Sequence, residues 1–206
     1  SLMQGRIHEA QGPKALGMAM ILARQCEGHS LWIGKSDHVQ GLRARALQSI
    51  LGEKRIVTVQ CADRRETLWA GEEALRCTCA GLVIIHLDLG PDLFESRRLQ
   101  VAAQAGSTLG LVIVGRRAQS SAAQTRWDCA GHPEDANAWV WSQTKNKQGQ
   151  CLRWSVTPSV GSTPPPDLIP KQSLTQRQGG PQDAKCFTSL SGALAPPARA
   201  RPLAPT

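Results

Sequence analysis

Residues 5–20 read "GRIHEAQGPKALGMAM". The run opens with a strand-like segment, "RIHEA" (6–10), and closes inside a helix-like one, "KALGMAMILARQCE" (14–27). Between them stand Gly12 and Gly17. A strand, a glycine-flanked loop and a helix are the layout of the phosphate-binding pattern G-x-x-x-x-G-K-[ST]. In that pattern backbone N–H groups and the helix N-terminus cradle the phosphates. The Lys neutralises the β- and γ-phosphates and the hydroxyl holds Mg²⁺. Here the Lys position is Met18 and the hydroxyl position is Ala19. Lys14 lies inside the loop, away from the usual place. Two readings follow: a tight βα turn, or an inherited phosphate loop whose chemistry is gone. Under the second, Gly12, Pro13, Lys14, Gly17, Met18 and Ala19 form a degenerate nucleotide loop. ATP binding is expected to be poor, hydrolysis absent and the chain without a cofactor.

The second part of such a site is an acidic residue at the end of a buried strand, where it orients the Mg²⁺ shell. The buried strand here is "GLVIIHL" (81–87), and His86 stands where the acid belongs. Asp88 follows two residues later and is expected in the next loop.

Outward from this region, short β-branched runs alternate with amphipathic ones. "SLWIG" (30–34), "RIVTVQC" (55–61) and "TLGLVIVG" (108–115) read as strands. "HVQGLRARALQSIL" (38–51) places Val39, Leu42, Ala46, Leu47 and Ile50 on one helical face. "DRRETLWAGEEALR" (63–76) opens with Asp63 and has Glu66 three residues on, a helix start. "PDLFESRRLQVAAQAG" (91–106) begins at a proline and ends at a glycine. Continuous apolar runs such as "LVII" suit strands buried on both faces, hence a parallel sheet. The expectation is an α/β domain with a mostly parallel central sheet flanked by helices. "TRWDC" (125–129), "AWVWSQTKN" (138–146) and "CLRWSV" (151–156) predict an antiparallel extension at the sheet edge.

From Pro158 the composition shifts: ten of the 13 prolines lie in 158–206 and no periodic apolar face remains. This segment reads as a disordered tail after a domain spanning 1–157. The formal net charge is +8 with 41% hydrophobic residues. A basic balance of this size points to an acidic partner, nucleic acid or protein, or simply to solubility. Seven cysteines at irregular spacing fit reduced thiols better than a disulfide framework, and no paired spacing builds a zinc site. No run reaches the ~18 to 20 apolar residues of a membrane span, and none reads as a signal peptide. A cytoplasmic protein is expected. The chain begins at Ser1, which leaves native residues upstream open.

The motifs resemble a family. "GRIHEAQGPKALGMA" resembles the loop of RecA recombinases, in which G-R-I-x-E leads into G-P-x-x-x-G-K-T. "SLWIG" resembles the next RecA strand, although the catalytic Glu expected after it is replaced by Lys35, Ser36 and Asp37. The fuller match is to the ImuA family, RecA-like proteins of bacterial damage-induced mutagenesis. It rests on "GRIHEA", "LWAGEEALR" (68–76), "SRRLQVAAQAG" (96–106), "TRWDC" and "RWSV" (153–156), in that order, over about residues 4 to 157.

The resemblance implies a degenerate RecA-like fold of the P-loop NTPase type and a non-catalytic accessory role in SOS-induced translesion synthesis. The implied partners are an ImuB-like inactive Y-family polymerase homologue and an error-prone replicative-type DNA polymerase. RecA itself is a further candidate. RecA proteins contact single-stranded DNA through loops matching "DLGPD" (88–92) and "RRAQSSAAQ" (116–124) here. Both loops are short and lack an aromatic for base stacking. Arg116 and Arg117 in the second, with Arg97 and Arg98 on the fourth helix, are the candidate contacts to DNA or a partner. DNA contact is expected to be weak or indirect. The rival readings are an ATPase using Lys14 and Asp88, a SulA-like inhibitor of cell division, and a basic single-strand-binding module.

Overall fold

β-Branched runs pair into a sheet whose central strands bury both faces, and the amphipathic runs between them supply the cover. The computed structural model describes residues 2–40, 51 and 56–157. The tail from residue 158 and most of the expected second helix, with Arg43 and Arg45, lie outside the described residues. The elements are β1 (Ile7–Gln11), α1 (Ala15–Gln25), β2 (His29–Lys35), α2 (Ser36–Gln40), β3 (Ile56–Cys61), α3 (Arg64–Arg76), β4 (Ala80–Leu89), α4 (Leu93–Gly106), β5 (Leu109–Arg116), β6 (Thr125–Gly131), β7 (Trp139–Asn146) and β8 (Arg153–Val156).

The strands form one sheet in the order β3-β2-β4-β5-β1-β6-β7-β8. Pairings from β3 through β6 are parallel. Those of β6 with β7 and β7 with β8 are antiparallel. The fold class is therefore mixed α/β with a mostly parallel sheet and an antiparallel edge. One strand departs from expectation. β6 was expected within the antiparallel extension but runs parallel to β1, with His8 opposite Thr125 and Gln11 opposite Asp128.

The connection explains this. Residues 117–124 leave β5 and pass over β1 before β6 begins on its far side. Ser121 Oγ donates to the buried Glu9 carboxylate. Ala122 N donates to Ser96 Oγ (2.7 Å), and Gln124 N to the Ile7 carbonyl (2.8 Å). What reads in sequence as a polar loop is thus a strap bonded down along its length.

α1 covers one face of the sheet. Met18, Ala19, Met20 and Leu22 pack there with Leu82 and Ile84 of β4, Leu111 of β5, Trp127 of β6 and Trp141 of β7. α3 and α4 lie together on the other face. A β-carbon on Gly106 would enter the Leu75 carbonyl, so the two helices approach as closely as they do only because Gly106 has none. Their charged motifs also meet: Arg98 Nε lies 2.8 Å from the buried Glu72 Oε1, which Arg76 also approaches.

α3 is capped by Asp63, which accepts from Glu66 N (2.8 Å). α4 begins with a full capping box of Asp92 and Glu95, one residue after the proline expected to start it. It closes through Ser107 in the left-handed region.

No described helix is long and apolar enough to cross a membrane. Cys61, Cys129 and Cys151 are free thiols, and the Cys77 and Cys79 sulfurs lie 2.6 Å apart.

Candidate functional site

The segment that resembles a phosphate loop is short. Gly12 has φ +105°, and a β-carbon there would overlap the Cys129 carbonyl of β6. Lys14 N donates to that same carbonyl (3.1 Å), and Ala15 N donates to the Gly12 carbonyl (3.0 Å). Helix α1 then starts at Ala15, two residues before Gly17. The turn is therefore Gly12, Pro13 and Lys14, and the stretch that would wrap a phosphate is already helix.

Met18 and Ala19, at the Lys and hydroxyl positions, are fully buried. Cys129 Sγ lies 3.6 Å from Met18 Sδ. Gly17 lies beneath the Trp139 indole, whose ring a β-carbon would penetrate. Lys14 Nζ sits 5.6 Å from the centroid of the same ring, a cation–π distance. Six residues that look like one loop are thus divided among an exposed turn, a covered helix face and the core.

In a parallel sheet ligands gather at the carboxyl ends of the strands. That edge holds Lys35 at the end of β2, His38 in α2, and His86 and Asp88 on β4. Asp88 is a strand residue, not a loop residue, because β4 continues to Leu89. Lys35 Nζ lies 2.6 Å from Asp88 Oδ2, and His38 Nε2 2.9 Å from Oδ1. The Lys35 hydrogen bond holds the Asp88 carboxyl below its usual range and raises the Lys35 ammonium in turn.

His38 stacks on His86 with ring centroids 3.9 Å apart. Burial, reinforced by His38, pushes His86 down to about 4, so it is neutral at neutral pH. The carboxylate nearest the place of a magnesium-orienting acid therefore already carries two internal cationic or donor partners. Among the described residues no group of three or more His, Cys, Asp or Glu could hold a metal ion.

The four candidate arginines differ in their surroundings. Arg117 is turned inward, donating to the Trp127 carbonyl (2.6 Å) and pairing with Asp128 (2.9 Å). Arg98 bridges to Glu72 from an otherwise exposed position. Arg97 and Arg116 are exposed. The two loops matched to RecA's DNA loops are tied to each other, Gly90 N donating to the Arg116 carbonyl (2.7 Å).

Sequence reasoning missed Arg64, which donates to the Leu89 and Gly90 carbonyls and pairs with Glu95 (2.6 Å), fixing the end of β4 to the start of α4. It also missed Phe94, which is 81% exposed. A helical wheel of 93–106 carries that second signal, since Phe94 falls opposite Leu99 and Ala103.

No family model matches the chain, and no curated protein matches it. Solved structures that match include the crystal structure of SulA from Pseudomonas aeruginosa. That match has 23% identity and a TM-score of 0.41, over 54% of this chain and 98% of the other.

Proposed function

We propose that this chain is a RecA-like protein without ATPase activity that serves as an accessory subunit in SOS-induced, error-prone translesion synthesis in the cytoplasm. Its partners on this reading are an ImuB-like inactive polymerase homologue and an error-prone replicative-type polymerase, with RecA a further candidate. The observation that carries the non-catalytic part is the closed turn at Gly12–Lys14: its Lys14 N–H is spent on Cys129, and α1 begins before the second glycine.

The remainder rests on the ordered ImuA-like motifs. β1 and β4 flank β5 in parallel, so their carboxyl ends open onto one edge, as two halves of an ancestral nucleotide site must. Asp88, held by Lys35 and His38, suits a site that no longer recruits magnesium.

The direct test is damage-induced mutation frequency in cells lacking this gene, restored or not by the plasmid-borne chain, together with co-purification of a polymerase-like partner. Unchanged mutation frequency removes the pathway assignment. ATP hydrolysis in the presence of single-stranded DNA, abolished by Lys14→Ala, removes the non-catalytic assignment. Filamentation on overexpression with normal mutagenesis favours the SulA-like inhibitor.

A further inference from the structure

The outer face of α4 carries apolar residues that the fold does not use. Phe94 is 81% exposed, Val101 59%, Leu93 46% and the neighbouring Leu89 40%. Helical spacing puts Phe94, Arg97, Arg98 and Val101 on one stripe. The inward face is already filled by Ser96, Leu99, Ala102, Ala103 and Gly106. Phe94 is therefore not a core residue that failed to find its place.

Leu89 extends the patch onto the sheet, where it lies opposite the exposed Arg116. The nearby acids are engaged: Glu95 with Arg64, Asp88 with Lys35, Glu72 with Arg98, while Asp92 caps the helix. An apolar centre is thus left with a positive rim, and an exposed aromatic flanked by arginines is the composition of a binding hot spot.

We infer that this face docks an acidic amphipathic segment of a partner protein, with apolar side chains at helical spacing flanked by carboxylates. The stripe from Phe94 to Val101 spans two helical turns, about 10 Å, which matches a short partner helix laid along α4. Single-stranded nucleic acid fits less well, because Leu89, Leu93 and Val101 need apolar partners and only Phe94 can stack on a base. The inference deepens the accessory reading and rests on it for the existence of a partner, but not for the chemistry of the surface.

The test is selection of helix-forming peptides from a randomised display library against the full chain. Binding of the enriched peptides is then measured by fluorescence anisotropy to wild type, Phe94→Ala, and Arg97→Glu with Arg116→Glu. Enriched peptides are expected to place Asp or Glu beside Leu, Phe or Trp. Phe94→Ala should weaken them about tenfold or more, and the charge reversal should lower affinity most at low salt. Far-UV circular dichroism and urea unfolding should leave Phe94→Ala like wild type, since its side chain is exposed.

The inference falls if no peptide enriches, if enriched peptides lack acids, or if they bind Phe94→Ala equally well. It also falls if Phe94→Ala abolishes single-stranded DNA binding instead, or dissolves a self-associated dimer seen in sedimentation. If acidic peptides bind through Phe94 but deletion leaves damage-induced mutagenesis unchanged, the surface stands and the pathway assignment fails. If mutagenesis depends on the gene but no peptide uses Phe94, the pathway stands and the surface fails.

Discussion

The Trp139 indole lies against Gly17 with no room for a side chain between them. This contact fastens β7, from the antiparallel edge, to α1, which follows the first parallel strand. Gly17→Ala should destabilise the fold by about 1–3 kcal/mol through overpacking. Trp139→Ala opens that space, so the double variant should be more stable than the sum of the single losses implies. Urea unfolding of the four proteins in the cycle measures the coupling. Strict additivity would mean that the ring does not seat on the glycine.

Restoring the motif should not restore the chemistry. Met18→Lys with Ala19→Thr recreates the sequence of a phosphate loop, yet both positions are fully buried. The introduced ammonium has no partner there, and burying an unpaired polar or charged group costs several kcal/mol. The expected result is a large drop in melting temperature and no saturable binding of a fluorescent ATP analogue with Mg²⁺. Micromolar binding would show that the turn can open.

Glu72 is buried and Arg98 is its main partner across the α3–α4 seam. Arg98→Ala leaves the carboxylate with Arg76, 3.7 Å away. Because Arg98 is largely exposed, the loss should fall between that of a surface pair and a buried one, about 1–2 kcal/mol. Glu72→Gln should suffer less from Arg98→Ala than wild type does, since its neutral amide needs no cation. Chemical unfolding of both backgrounds decides.

Acid should weaken the protein through His8. Its ring is buried, accepts from Met3 N (3.0 Å) at Nε2 and lies 2.7 Å from Thr125 Oγ1 at Nδ1. Burial pushes it down to about 3. The unfolded chain binds a proton near pH 6.5 and the folded one does not, so stability is full above that pH and falls as pH drops below it. The slope attributable to His8 approaches about 1.4 kcal/mol per pH unit. Between pH 6.5 and 5, where few carboxylates titrate, His8→Asn should have a shallower slope than wild type. Equal slopes would mean that His8 can take up its proton in the folded state.

Local order was legible in the sequence because it is encoded locally. Asp63 with Glu66 and Asp92 with Glu95 cap helices through hydrogen bonds spanning three residues. The "LVII" run declares a strand buried on both faces. Even the α3–α4 seam had a trace, in charged motifs that meet as Glu72 and Arg98.

The site was less legible. Arg117 reads as a free loop cation, yet it is drawn inward by Asp128 and a β6 carbonyl. Asp88 reads as a loop acid, yet it is a strand residue neutralised by Lys35, which is fifty-three positions earlier in the chain. Such partnerships depend on which strands become neighbours, and nothing within a few residues of either group records that.

The sequence by itself determined the α/β alternation, the helix starts and the presence of Met18 and Ala19 after Gly17, because each is a property of residue type and short-range spacing. Only the tertiary structure decided that residues 117–124 strap over β1 and set β6 parallel, and that Cys129 takes the Lys14 N–H. It likewise decided that Trp139 closes over Gly17. The physical reason is that a backbone donor or a cavity has no fixed fate until a distant strand arrives to fill it. At Gly12–Lys14 the arriving strand is the chain's own β6, whose Cys129 carbonyl accepts the Lys14 N–H.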